Sequence, residues 1–207
     1  MNELEIKKKL IRSFIENSPE SIFGAEVTFQ FGARRADVVL YEHETLTAYE
    51  IKGAGDSMAR LNYQVESYVK FFDYCYIVCE PSNLAAVRVS VPRSVGIVLV
   101  TESGIKYIRK SNLFKRLDKL SLASVLSIQM LKSLIKVKIR SKSKFDLCQQ
   151  ASKQCSLEEL KLASRESFLK RYKSASILMK KEASNELHSE DILTITKLAS
   201  THLKRRF

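Results

Sequence analysis

No apolar run in this 207-residue chain approaches the roughly 18 residues that span a bilayer as a helix. The first ten residues, Met-Asn-Glu-Leu-Glu-Ile-Lys-Lys-Lys-Leu, are charged, and no secretory apolar segment follows them. These absences lead us to expect a soluble, cytoplasmic protein. Cysteine is sparse: Cys75, Cys79, Cys148 and Cys155, with no Cys-x-x-Cys pair. His43, His188 and His202 lie far from them in sequence, which argues against a zinc site. Cys75 and Cys79 fall in an apolar stretch and read as reduced core thiols. Neither proline nor glycine occurs after Gly104. There is no internal repeat and no low-complexity tract.

Hydrophobic residues make up 45% of the chain, enough for a real core. The length suits one domain, or one domain with an extension. The formal net charge is +12. Residues 1–104 hold 11 Lys and Arg against 14 Asp and Glu, whereas residues 105–207 hold 24 against 9. All the excess positive charge is therefore in the second half. Such a half favours a polyanion, most simply a nucleic acid.

Periodicity gives a coarse map. Leu4, Ile6, Leu10, Ile11, Phe14 and Ile15 recur at helical spacing, so residues 3–17 read as a helix. Alternation predicts strands over 25–31, 36–41 and 46–52, the last two joined as a hairpin through 42–45. Asp56 or Ser57 can cap a helix running to about Phe72. A buried strand over 74–79, a short helix over 82–89 and strands over 95–101 and 105–109 follow. Beyond Ser111 the pattern is helical, with four or so helices breaking near 141–145, 154–156 and 186–189. We therefore expect an α/β core over 1–110, with a mixed four- to five-stranded sheet flanked by helices. A basic all-helical region over 111–207 would follow it.

The hairpin carries the chemistry. If Tyr41 pairs with Leu46, Asp37 comes opposite Glu50 on one face of the sheet. Two like charges placed so are destabilising unless a divalent cation sits between them. Lys52, two residues past Glu50, projects from the same face. On the next helix Arg60, Gln64 and Tyr68 share one face, and Leu61, Val65, Val69 and Phe72 form the opposite one.

Arg35-Ala-Asp37 followed by Tyr49-Glu50-Ile-Lys52 resembles the PD-(D/E)XK (restriction-endonuclease-like) nuclease pattern, and Gln64-Val-Glu-Ser-Tyr68 resembles the Gln-x-x-x-Tyr element of its RecB-like members. The fuller stretch, with Gly53, Asp56-Ser-Met-Ala-Arg60-Leu61 and Phe72-Asp73, is similar to a bacterial family of small nuclease-like proteins. The resemblance covers about residues 4–110. It departs at the first motif, where Ala36 replaces the proline of the superfamily's name. It implies a metal-dependent phosphodiesterase acting on DNA, with RNA the other polymer this chemistry admits. Asp37, Glu50 and the backbone carbonyl of Ile51 would bind Mg²⁺, with Mn²⁺ able to substitute. Lys52 would orient the attacking water and stabilise charge on the phosphate. Gln64 would order the ligands, Tyr68 beside it would touch the nucleic acid, and Arg60 would hold a phosphate. A further carboxylate would be Glu26, with Glu16 in reserve. Arg35 could pair with Asp37 or Glu50, or touch DNA. Arg34 reads as a plain surface charge.

Two other readings stand beside this one. The chain could be a catalytically inactive nucleic-acid-binding protein on the same fold, or an interaction protein whose C-terminal helices dock a protein partner. Cutting both strands with one site per chain would favour a homodimer.

Overall fold

The computed structural model describes residues 1–137, 143–182 and 187–196. The N-terminal helix α1 (Glu3–Asn17) starts where expected, because Asn2 and Glu5 form a capping box that satisfies two open backbone N–H groups. Strands β1 (Ile22–Phe29), β2 (Arg34–Glu42) and β3 (Thr45–Lys52) follow, then α2 (Leu61–Val69), β4 (Tyr74–Cys79), α3 (Leu84–Ser90), β5 (Gly96–Thr101) and β6 (Gly104–Arg109). The second half supplies α4 (Lys119–Ser124), α5 (Ile128–Leu134), α6 (Lys144–Gln154), α7 (Leu157–Glu182) and α8 (Ser189–Thr196).

The expected four to five strands are six, and all six alternating segments join one sheet in the order β1 to β6. β1, β2 and β3 pair antiparallel, as do β5 and β6. The β3–β4 and β4–β5 pairs are parallel, each with a helix, α2 or α3, in the crossover. The architecture is thus a mixed α/β sheet flanked by helices, with a helical C-terminal region.

Two boundaries differ from the periodicity reading, each for a local reason. The first strand lies over 22–29 rather than 25–31. Gln30, Phe31 and Gly32 take positive φ of 47°, 59° and 83° and turn the chain before the alternation ends. α2 begins at Leu61, because Asp56 and Ser57 close turns instead of capping. The Asp56 carboxylate accepts the Gly53 N–H at 2.8 Å, and Ser57 Oγ accepts that of Ala59 at 3.2 Å. Among the described residues the second half has five helices, where four or so are expected. The break at 154–156 is present, sealed by a reciprocal Ser156–Glu159 cap. The breaks expected near 141–145 and 186–189 fall partly outside the described residues.

Apolar side chains form two layers. α1 covers one face with Ile6, Leu10 and Phe14 against Phe23, Val38, Tyr49 and Ile51. On the other face, Leu61 and Val65 of α2 share a cluster with Phe29, Phe72 and Ile77, and with Leu122, Leu147, Phe168 and Tyr172 from α4, α6 and α7. All four cysteines are buried and free. Burial pushes the Cys75 thiol well above its ordinary range and that of Cys79 up to about 11, as suits reduced core thiols. Among the described residues no helix is long and apolar enough to cross a membrane.

Candidate functional site

The site grows from a break in strand alternation. Along β1, Phe23 and Ala25 belong to the α1 layer, but Val27 and Phe29 belong to the opposite one. Along β2, Ala36 and Val38 divide in the same way. The residues at which the faces exchange are Glu26, at φ 53°, and its neighbour Asp37. A non-glycine residue at positive φ is uncommon enough to suggest a special task.

The hairpin register expected from the Tyr41–Leu46 pair is present from Glu42–Thr45 to Val38–Tyr49. The ladder stops one residue short of the Asp37–Glu50 pair. There the Asp37 carboxylate takes the Ile51 N–H at 2.7 Å. Asp37 and Glu50 are therefore not a flat cross-strand pair but two carboxylates at the opening between β2 and β3. Burial, and then the charge of Glu50, push the Asp37 carboxyl up to about 7, against the pull of the Ile51 N–H.

Glu50 is the hub, although only 3% exposed. Its Oε1 accepts Lys52 Nζ at 2.9 Å and Gln64 Nε2 at 2.5 Å, and Lys52 also reaches Gln64 Oε1 at 3.2 Å. Its Oε2 accepts the Tyr68 hydroxyl, which also lies 3.3 Å from the Arg35 carbonyl. Burial and the charge of Glu50 push the Tyr68 phenol well above its ordinary range, so it stays a donor. The structure thus brings Asp37, Glu50, Lys52, Gln64 and Tyr68 together. Tyr68 is 1% exposed and stands behind Glu50, a position from which it supports the carboxylate rather than touching a polymer.

A second charged group lies beside Asp37. Lys7, 5% exposed, bonds Glu26 and, at 3.1 Å, Glu3. Burial opposes its charge, but the two carboxylates outweigh burial and raise its pKa. Glu26 also takes Arg35 Nε at 2.6 Å, so Arg35 pairs with neither Asp37 nor Glu50. Carboxylate oxygens of Glu3, Glu26 and Asp37 lie within 4.8 Å of one another. The carboxylate that α1 contributes is thus Glu3. Glu16, three turns further on, pairs with Arg12 at 3.1 Å and is exposed. Sequence reasoning missed Glu3 and Lys7. The available signal was a lysine in the apolar stripe of Leu10, Ile11 and Phe14.

These donors are hard oxygens and suit Mg²⁺ or Mn²⁺ better than a soft metal. Asp37 Oδ1 and the second lone pair of Glu50 Oε2 have capacity left for such a cation, as do oxygens of Glu3 and Glu26. Ile51 contributes its N–H to Asp37, and its side chain is buried in the α1 layer.

From Asp37 a cleft of about 780 Å³ opens to solvent, lined by Arg34, Arg35, Arg60, Tyr63 and Gln64 among others. Arg60 stands at the start of α2. Arg34, a plain surface charge by sequence, is held in place. Its Nε–H reaches Ser67 Oγ at 3.1 Å, and its guanidinium lies 4.1 Å from the centre of the Tyr63 ring.

Fold and site together define a mixed α/β protein with a largely buried carboxylate–lysine cluster where two sheet strands part, opening into an arginine-lined cleft. The chain belongs to the bacteriophage P4 protein cII family, whose model matches residues 1–196. It is similar to protein cII of Enterobacteria phage P4, 32% identical over 107 residues, covering 50% of this chain and 40% of that protein. The match thus spans less than half the length of that relative. Among solved structures it is similar to SPO1766, a protein of unknown function from Silicibacter pomeroyi. There the identity is 13% and the TM-score 0.44, over 56% of this chain and 75% of the other.

Proposed function

We propose that this chain is a divalent-metal-dependent nuclease of the PD-(D/E)XK type, hydrolysing phosphodiester bonds in DNA. The observation that carries the reading is the Glu50 hub. Lys52, Gln64 and Tyr68 hold Glu50 as a buried carboxylate, and its charge, together with burial, raises the neighbouring Asp37 carboxyl, a repulsion that a divalent cation would relieve. Asp37 and Glu50, with the Ile51 carbonyl and with Glu26 at the rim, would hold Mg²⁺ or Mn²⁺. Such a cation, when bound, polarises a phosphate and lowers the pKa of a coordinated water.

The side chains of the chain do the rest. Gln64 fixes the distance between Glu50 and Lys52 by bonding both. Lys52 keeps its ammonium within the cluster, where it orients the attacking water and stabilises negative charge developing on the phosphate. Tyr68 holds the second oxygen of Glu50 in place. Arg60 and Arg35 receive backbone phosphates along the cleft. The cationic second half adds affinity without sequence preference.

The test is cleavage of supercoiled, linear and single-stranded DNA, and of RNA, with Mg²⁺, Mn²⁺ or EDTA. Wild type should cut DNA only with metal. Lys52→Ala should lose at least about a hundredfold in rate while remaining folded. Wild type that cuts no polymer in either metal, yet binds DNA equally well in EDTA, would overturn the nuclease reading in favour of a binding module.

A further inference from the structure

The cleft wall holds an aromatic ring that the proposed hydrolysis does not use. Tyr63 lies on α2 immediately before Gln64, whose amide bonds the Glu50 hub, and its side chain is 58% exposed. One face of its ring is covered by the Arg34 guanidinium at 4.1 Å. That guanidinium is not free to swing. Arg34 Nε donates to Ser67 Oγ at 3.1 Å, and the Ser67 hydroxyl donates to the Tyr63 carbonyl at 3.3 Å. Ser67 itself is buried. Ring, cation and hydroxyl thus form a closed local clasp at the cleft wall that leaves most of the Tyr63 ring open to solvent.

Upstream of Arg34 the backbone is strained. Gln30 and Phe31 sit at φ 47° and 59°, a conformation side-chain-bearing residues rarely adopt. The turn is anchored by Gln30 Nε2 reaching Ser121 Oγ at 3.3 Å. Gly32 and Ala33, which complete it, line the same cleft as Arg34, Asp37 and Gln64. A strained turn that delivers an arginine onto an exposed tyrosine, beside a cluster of catalytic type, needs an explanation beyond packing.

We infer that Tyr63 and Arg34 form a stacking platform for an unpaired nucleobase, so that the cleft takes single-stranded DNA or the single-stranded end of a duplex. The inference rests on the nuclease reading for its polymer, and it adds which form of that polymer is held. Inside a duplex the faces of a base are covered by its neighbours, and a side-chain ring reaches them only where the strand is open. Stacking on an aromatic ring is tolerant of sequence because every base has a π face. The guanidinium behind the ring strengthens the stack and supplies charge toward the backbone. Arg35 and Arg60 line the same cleft and would meet the flanking phosphates.

The experiment measures binding without cleavage, with the full chain in EDTA. The probes are a fluorescein-labelled 12-nucleotide single strand and its blunt duplex, plus a single strand carrying 2-aminopurine. Wild type should prefer the single strand and quench 2-aminopurine on binding. Tyr63→Ala should lose about tenfold in single-strand affinity, within the range of one base stack, and should lose the quenching. Its duplex affinity should stay within about twofold. Tyr63→Phe should behave as wild type. Arg34→Lys, which keeps the charge without the flat group, should reduce the quenching.

The inference is overturned if Tyr63→Ala binds and quenches like wild type, if wild type favours the blunt duplex, or if it binds neither probe. Failure of the nuclease reading looks different. Stacking that persists in EDTA from a protein that cuts nothing in Mg²⁺ or Mn²⁺ leaves the platform standing. Metal-dependent cleavage that is indifferent to Tyr63→Ala leaves only the hydrolysis.

Discussion

Asp37 is the residue whose environment reports most directly on the site. In the unfolded chain an aspartate gives up its proton near pH 4. In the fold, burial and Glu50 hold that proton up to about pH 7. Between those values the folded state binds the extra proton. Asp37 thus favours folding at low pH, and that contribution fades as pH rises through 7. Asp37→Asn should therefore stabilise the metal-free protein at pH 8, by roughly 1–3 kcal/mol, and change little at pH 4. The amide oxygen can still accept the Ile51 N–H. Urea unfolding in EDTA at the two pH values checks this. Added Mg²⁺ should raise the melting temperature of wild type more at pH 8 than at pH 6, because the proton competes with the cation, and should do little for Asp37→Asn. Equal stability of the two proteins at pH 8 would mean that Asp37 is not a buried charge under strain.

Among the elements, α7 ties the second half of the chain to the sheet. It runs 26 residues, about 39 Å, and passes from one apolar layer to the other around the edge strand β1. At its first turns Arg165 Nη2 meets the fully buried Asp73 at 2.6 Å, and Lys161 meets the other oxygen at 3.0 Å. Asp73 in turn accepts the Leu46 N–H at 2.8 Å. Midway, the Tyr172 ring lies against Gly24, where an added Cβ would come within 2.6 Å of it. Further on, Ser176 Oγ accepts the Phe23 N–H at 3.2 Å, capping an open donor of the sheet edge. Arg165→Ala leaves Asp73 buried beside a partly exposed lysine alone. It should cost about 3 kcal/mol in urea unfolding. Asp73→Leu combined with Arg165→Leu should cost less than the sum of the two single changes. Additive losses would show that the pair is not the joint.

That helix marks where sequence reasoning ran out. The β2–β3 register was legible, because a short turn and an apolar alternation together leave one pairing. The approach of α2 to Glu50 was legible from the spacing of Gln64 and Tyr68. The ladder's end at Val38–Tyr49 was not, since it follows from a face exchange at Glu26 and Asp37 that no period of two can encode. Arg165 is one of the 24 cations that make the second half basic, yet it is 2% exposed and neutralises a carboxylate 92 residues away. Charge counting along a chain cannot distinguish a solvated cation from a buried partner. Arg34 reads as a plain surface charge for a related reason, because its ring and hydroxyl partners come from another element.

Across the whole molecule, composition divides the chain near residue 110, but the packing is continuous there. Phe29, Phe71 and Phe72 form an aromatic cluster with centroids 4.8–5.2 Å apart, in the same apolar layer as Leu122, Leu147, Phe168 and Tyr172. The Phe114 N–H bonds the Asp73 carbonyl at 2.8 Å, and the Asp118 N–H bonds that of Lys70 at 2.8 Å, so the chain is stitched to α2 and β4 as it leaves the sheet. A fragment ending at residue 110 would uncover this layer and the edge of β1, and would leave Asp73 without either of its cations. Each large apolar side chain exposed costs about 1.5–3 kcal/mol, against a total stability of about 5–15 kcal/mol for an ordinary domain. The fragment 1–110 should therefore not fold cooperatively, although it holds Asp37, Glu50, Lys52 and Gln64. Thermal melts followed by near-ultraviolet circular dichroism test this directly. A sharp transition in the fragment, close to that of the full chain, would mean that the helices are an accessory to a self-sufficient sheet. A fragment without fixed tertiary signal would mean that the cationic half is part of the scaffold that holds the carboxylates in place.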